Sequence, residues 1–265
     1  MHISARCYAV TGLGCIPPWS VNAGFVVGDQ ATLIADTGAN ALAAATIHGY
    51  AVAARPGNRL AVVDTEPHFD HIGGNGFFRA KGIEVHGHGG IQRTPAEFDA
   101  EIAEFNSAIL NAERRERAEA KVFYTGTSLV NPSQTLAADT RVNLGGCEAH
   151  ILLTPGHTPA NISVWAPDDG VLFSGDCLVN QYLPNLDCGG VSDWKTWLAS
   201  LERIARLVPK VVMPGHGPVA FGNDVSKIID TVRKTLEHAI ATGHSPTSDA
   251  AASPETTQLD DGTAA

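Results

Sequence analysis

The chain has no CxxC pair, no apolar run approaching the roughly 18 residues that a membrane-spanning helix needs, and few basic residues. Each shortage excludes something. Cys7, Cys15, Cys147, Cys177 and Cys188 are scattered and odd in number, which argues against a disulfide framework and against a thiolate zinc site, and leaves reduced thiols as the expectation. Lys and Arg number 18 against 28 Asp and Glu, a formal charge of -10, so no nucleic-acid partner is expected; phosphate binding needs clustered cations. The one local cluster, Arg114, Arg115 and Arg117, alternates with Glu113, Glu116 and Glu119, as on a solvated helix face. The opening MHISARCYAV is too polar for a secretory leader. The expected setting is cytoplasmic, with no membrane partner.

What is present is a globular composition: 265 residues, 44% of them hydrophobic, are enough to bury a full core. Short runs rich in Val, Ile and Leu at residues 24–27, 32–35, 60–63, 83–86, 149–153, 162–165, 171–173 and 211–213 alternate with turn signals and read as strands. Helices are expected at residues 40–48, behind a Gly-Ala-Asn start, at 95–121, where Phe98, Ile102, Phe105 and Ile109 share a face, and at 192–207, with Trp194, Trp197, Leu198, Leu201 and Ile204. Strand clusters separated by helices predict a layered α/β or α+β domain over residues 1–244. Residues 245–265 turn to Ser, Thr, Ala, Asp and Pro and are expected to be a disordered tail, because so little apolar surface cannot offset the entropy of ordering.

Four of the strand-like runs end in a loop that combines Gly or Pro with His or Asp: LAVVDTEPHFDHIGGN, ILLTPGHT, VLFSGD and VVMPGHG. A rigid strand that stops and hands a side chain to a loop is a common way to present a site. The candidate metal ligands are Glu66, His68, Asp70, His71, His157, Asp176 and His216. Imidazole and carboxylate suit zinc, iron and manganese, and seven such groups are too many for one tetrahedral ion, so two ions are implied. Gly73 and Gly74 would let the backbone turn closely into the next helix. A single His behind a strand is usually a packed residue, but an HxDH cluster with three more strand-end His or Asp sites is not a packing pattern. His86 and His88, in VHGHGG without an adjacent carboxylate, are assigned to structure, as are His48, His150, His238 and His244.

With those motifs in hand, residues 22–219 resemble the metallo-β-lactamase superfamily: NAGFVVGDQATLIADTG, HFDHIGGN, TPGHT, SGD and PGHG stand in that family's order. The resemblance implies a four-layer αββα sandwich with a dimetal site at one edge between two sheets. It implies that Glu66, His68 and His157 hold the first metal, that Asp70, His71 and His216 hold the second, and that Asp176 bridges them. Asp36 would be a structural acid at a strand end. One departure stands out: the family's HxHxDH reads here Glu66-Pro67-His68-Phe69-Asp70-His71, with Glu in place of the first His. Zinc is the first choice of metal, but a ligating Glu66 would shift preference toward harder iron or manganese.

The expected activity is metal-dependent hydrolysis of a carbonyl-type bond in a small molecule (lactone, thioester, ester or β-lactam). Two ions about 3.5 to 4 Å apart can share a hydroxide nucleophile, and Asp70 would orient it and help move a proton. Tyr182, six residues past Asp176, is a candidate substrate contact; Trp19, Tyr124 and the 95–121 helix are candidates for a rim. Cys177 would point away from the metals if its backbone were extended, since successive side chains then alternate. Two rivals are an iron-dependent oxidoreductase or dioxygenase of the same fold and a non-catalytic metal-binding module. The assembly is open, a homodimer included.

Overall fold

The computed structural model of the chain describes residues 1–13, 20–107 and 126–246, with side chains to 104 in the second segment. The expected tail beyond residue 246, the rim candidates Trp19 and Tyr124, and the 95–121 helix past 107 lie outside the described residues.

Two six-stranded sheets pack face to face. The first orders β1 (Cys7–Val10), β2 (Ala23–Val27), β3 (Ala31–Ala35), β4 (Arg59–Val63), β5 (Glu84–His88) and β6 (Gln134–Leu136) in sequence. β1 to β3 are antiparallel neighbours, and β3 to β6 are parallel. The second orders β12 (Ala220–Phe221), β11 (Val211–Met213), β10 (Val171–Phe173), β9 (Ile162–Ala166), β8 (Glu148–Leu153) and β7 (Thr140–Asn143). Its one parallel pair is β10 with β11.

The continuous apolar runs follow from burial on both faces of each sheet. Val26, Leu33 and Val63 meet Ile151, Val164, Val171, Phe173 and Met213 in the core between the sheets. Their neighbours Phe25, Ile34 and Val62 face outward onto Ala44 and Ile47 of α1 (Ala41–Ala54) and Phe78 of α3 (Asn75–Ala80). On the other side Leu152, Trp165, Leu172 and Val212 lie under α5 (Val191–Arg206) and α6 (Asn223–Thr242), through Trp197, Leu201, Ile228, Val232 and Leu236. The four layers are those the motifs implied. α1 starts at Asn40, whose side chain accepts from the Ala43 N–H at 2.8 Å, the cap that the Gly-Ala-Asn start predicts. α4 (Pro95–Ser107) buries Phe98 and packs Ile102 in a small cluster with Phe69 and Ile72.

The strands not expected from the sequence are β1, β6, β7 and β12, the four sheet edges. An edge strand pairs on one side only and needs no continuous apolar run, so its local signal is weak. α6 was also not among the expected helices, although Val225, Ile228, Ile229, Val232 and Leu236 recur at helical spacing.

Candidate metal centre

β8 and β10 both pair antiparallel with β9, and β11 runs parallel to β10, so these three strands point the same way. Their C-terminal ends therefore reach one edge of the sandwich, and with them His157, Asp176 and His216. The loop after β4 meets them from the other sheet. Ile162 N–H donates to Thr65 O at 2.6 Å, tying the two sheets at that edge. Asn22 Nδ2 holds the last loop by donating to Pro214 O at 2.9 Å and Gly217 O at 2.7 Å. The HxDH segment opens the single turn α2 (Phe69–Ile72), which passes against the loop before α1 so closely that a Cβ on Gly73 or Gly74 would overlap the carbonyl oxygen of Ala39 or Thr37. Neither glycine takes a positive φ, so what the pair supplies is this close packing rather than the expected turn into the next helix.

All seven sequence-identified ligands converge. Asp176 Oδ1 lies 3.3 Å from His71 Nε2, and Asp176 Oδ2 lies 3.6 Å from His157 Nε2 and 3.3 Å from His216 Nε2. Asp70 Oδ2 is 3.4 Å from His216 Nε2. Glu66 Oε2 is 2.7 Å from His68 Nδ1 and 3.7 Å from His157 Nε2, while Oε1 is 3.4 Å from His71 Nε2. The far nitrogens of three imidazoles are held from behind: His71 Nδ1 by the Asp36 carboxylate at 2.9 Å, His157 Nδ1 by Asn185 O at 3.1 Å and His216 Nδ1 by Ser20 O at 3.0 Å. A proton kept on Nδ1 leaves Nε2 as the free donor atom, the arrangement by which metal-binding histidines are oriented.

A cation is what this cluster is short of. Glu66 Oε2, His71 Nε2 and Asp176 Oδ1 are buried with no aligned hydrogen-bond partner, although oppositely charged atoms stand at ion-pair distance. Buried polar atoms are normally satisfied, so three orphans in one cluster fit a missing positive centre. The ionisation pattern agrees. Burial would push the Glu66 carboxyl up, but His68 and His71 overcome it and hold the group at about 2. Burial likewise opposes ionisation of Asp176, and His216 and then His71 outweigh it. Burial lowers His216, and Asp176 raises it more, to about 9. His68, His71 and His216 are likewise raised, against burial, by the neighbouring carboxylates, so their protons would have to leave for a metal to bind.

Asp36 is placed as the resemblance implied. It is buried at the end of β3 with φ 66°, and it accepts from Thr65 N and Thr65 Oγ1, both at 2.7 Å, as well as holding His71. His86 and His88 stay outside the cluster; His88 Nδ1 accepts from Gly90 N–H at 3.0 Å. Tyr182 lines a cleft of about 550 Å³ over the cluster, together with Asp187 and Arg93. Cys177 does turn away from the site, but the expected cause is corrected. Its backbone is not extended; it closes a 3₁₀ turn, Gly175–Cys177, that drops the thiol among the side chains beneath α5 and α6.

Two further features carry no signal in the sequence. Arg93 Nη2 pairs with Glu101 Oε2 at 2.5 Å, Arg93 Nη1 donates to Pro67 O at 3.1 Å, and Glu101 Oε1 accepts from Phe69 N–H at 3.3 Å, so α4 braces the first ligand loop. Cys188, exposed at the cleft, sets its Sγ 3.5 Å from His68 Nε2. Spacing along the chain gave neither away, since each depends on a loop folding back.

Comparison with known proteins agrees with this geometry. The family model described as "Metallo-beta-lactamase superfamily" matches residues 16–216. A probable metallo-hydrolase of Bacillus subtilis is 28% identical over 206 residues, 77% of this chain and 88% of that protein. A beta-lactamase-like protein 2 homolog of Caenorhabditis elegans is 31% identical over 97 residues, 37% of this chain and only 30% of the relative's length. The fold superposes on a metallo-beta-lactamase from Pseudomonas aeruginosa in its mono-zinc form with TM-score 0.64 at 18% identity, covering 90% of this chain and 94% of the other. Ligand motifs in order, an αββα sandwich that gathers them at one edge, and a family match over residues 16–216 lead to one conclusion: the chain belongs to the metallo-beta-lactamase superfamily of metallo-hydrolases.

Proposed function

We propose that the chain hydrolyses a carbonyl-type bond of a small molecule, a lactone, thioester, ester or cyclic amide, with two divalent cations held at this cluster. The observation that carries the reading is the set of buried atoms on Glu66, His71 and Asp176 with no aligned hydrogen-bond partner, around which the other candidate ligands close. Glu66, His68 and His157 would hold one ion, Asp70, His71 and His216 the other, and Asp176, with one oxygen toward His71 and the other toward His157 and His216, stands between them. Such a pair of ions supplies a water acidic enough to attack at neutral pH and polarises the carbonyl it attacks. Zinc is the leading candidate, the metal named for the Pseudomonas aeruginosa structure, with iron or manganese favoured to the extent that Glu66 ligates.

The chain's own groups then divide the work. Asp70, buried and reaching the centre of the cluster, orients the attacking water and carries a proton to the leaving group. Tyr182 and Leu183 form part of the cleft wall against which the substrate lies, and the cleft volume suits a small molecule. Among the described residues, Glu97, Glu101, Glu104 and Asp187 line that cleft together with Arg93, which is engaged by Glu101. The described outer rim of the cleft is therefore rich in carboxylates, while the reacting bond itself would face the cations at its floor.

Metal-stripped protein, reloaded with zinc, iron or manganese and offered lactones, thioesters, esters and β-lactams, should recover hydrolysis of one class. Asp70→Ala should lower kcat by about 10²- to 10⁴-fold, the usual contribution of a positioned proton-transfer group. A variant that binds both metals and keeps most of its kcat would remove Asp70 from this role.

A further inference from the structure

Cys188 belongs to none of the motifs that identify the family, and it is the one exposed thiol among the described cysteines; Cys7, Cys147 and Cys177 are buried. It reaches the cluster from the loop between Asp176 and α5, on the same wall as Tyr182. Ligand atoms of His68, His157 and Cys188 all lie within 4.8 Å of one another, as do those of Glu66, His157 and Asp176 and those of Asp70, His71 and His216. His157 is shared by the first two groups, so the outward metal position has two faces: a buried one closed by Glu66 and Asp176, and a solvent-facing one closed by Cys188.

The second pointer is Glu66. Its Oε1 accepts from the His68 backbone N–H at 3.0 Å, while its fully buried Oε2 has no aligned hydrogen-bond partner and stands 2.7 Å from His68 Nδ1. A carboxylate so placed either ligates with His68 or holds the imidazole from Nδ1, leaving His68 Nε2 as the ligand atom, and Nε2 is the nitrogen that Cys188 Sγ approaches at 3.5 Å. The second arrangement turns His68 Nε2 toward the face that Cys188 closes and sets the thiol beside the same ion.

We propose that Cys188 is a thiolate ligand of the outward-facing metal position, completing a donor set with His68 and His157 in the chain where Glu66 has displaced the family's first histidine. This rests on the metal-dependent reading above. On binding, the Sγ–H proton passes to solvent and an Sγ–metal bond forms; no electrons are transferred. Thiolate and imidazole donors select zinc over manganese, opposing the preference that Glu66 would impose alone.

Cobalt(II), added to the metal-free full-length chain, tests this without reference to activity. Cobalt bound to a thiolate gives an intense near-ultraviolet sulfur-to-metal charge-transfer absorption, whereas cobalt held by nitrogen and oxygen alone gives only the weak visible bands. The wild type should show both, and Cys188→Ser should lose the near-ultraviolet absorption while retaining visible bands from the other position. The Cys188 thiol should also react with a disulfide reagent at least about tenfold more slowly once metal is bound, in line with a thiolate being withdrawn from attack. Cobalt binding with no charge-transfer absorption in the wild type, or an equal absorption in Cys188→Ser, overturns the assignment and leaves the hydrolase reading standing. Failure of the wild type itself to bind cobalt overturns both readings.

Discussion

The two halves of the candidate metal cluster are built differently. On the inward half Asp70 and His71 are buried, His71 is fixed by a buried carboxylate that two bonds from Thr65 hold in turn, and the residues follow the family motif. On the outward half the His68 side chain is 24% exposed, its ring contacts a carboxylate, another imidazole and an exposed thiol, and the motif has lost its first histidine. The lesson concerns constraint. An inward ligand is locked by several partners, each with its own burial cost, so a substitution there disturbs a whole network. His68 alone among the outward group borders solvent, and there a new donor can be recruited from a neighbouring loop.

The largest effect should come from removing what the halves share. Asp176→Ala should empty both positions, and hydrolysis should fall with metal content; metal analysis that still finds both ions would break the picture of one bridging carboxylate. Gly215→Ala should act on the same group indirectly, since a Cβ there would overlap the Asp176 carboxylate. It should cost metal affinity with every ligand residue intact, measured by competition with a chromophoric chelator.

Next in size are the changes that set one half against the other. Asp36→Asn keeps the left-handed backbone, which Asn tolerates, but takes the charge from behind His71. Metal binding should weaken by about 10- to 100-fold at the inward position. Glu66→Gln should weaken the outward position while sparing the inward one; equal losses at both positions in both variants, in a two-site titration, would erase the distinction drawn here.

The smallest effect should be at the wall. Thr94 donates from its N–H and Oγ1 to Glu97 Oε2, both at 2.8 Å, at the start of α4. Thr94→Ala should cost about 1 kcal/mol of stability in chemical unfolding, with metal content unchanged. A loss of metal would mean that the brace from Arg93 and Glu101 to the first ligand loop transmits helix position to the outward half.

Legibility in the sequence followed burial. Central strands such as those at 60–63 and 162–165 are covered on both faces and announce themselves as apolar runs; the edges Gln134–Leu136 and Thr140–Asn143, half paired and polar, do not. The seven candidate ligands were readable because each sits behind a strand in a Gly- or Pro-containing loop. Arg93, Glu101 and Cys188 were not, because their relation to the site is made by loops and a helix folding back over it. Cys177 shows the same limit from the other side: the direction of its side chain was anticipated, but the cause is a 3₁₀ turn rather than alternation along a strand.

The amino-acid order by itself carried the layered architecture, through periodicity, and the family and the candidate donor groups, through ordered motifs at strand ends, all of which are local. The tertiary structure alone decided that Asp36 stands behind His71, that Glu66 is wholly buried with one oxygen unpartnered, and that Cys188 comes within 3.5 Å of His68 across 120 residues of chain. Contacts of that range are set by how two sheets and their connections close around a common edge, and no local pattern encodes that closure.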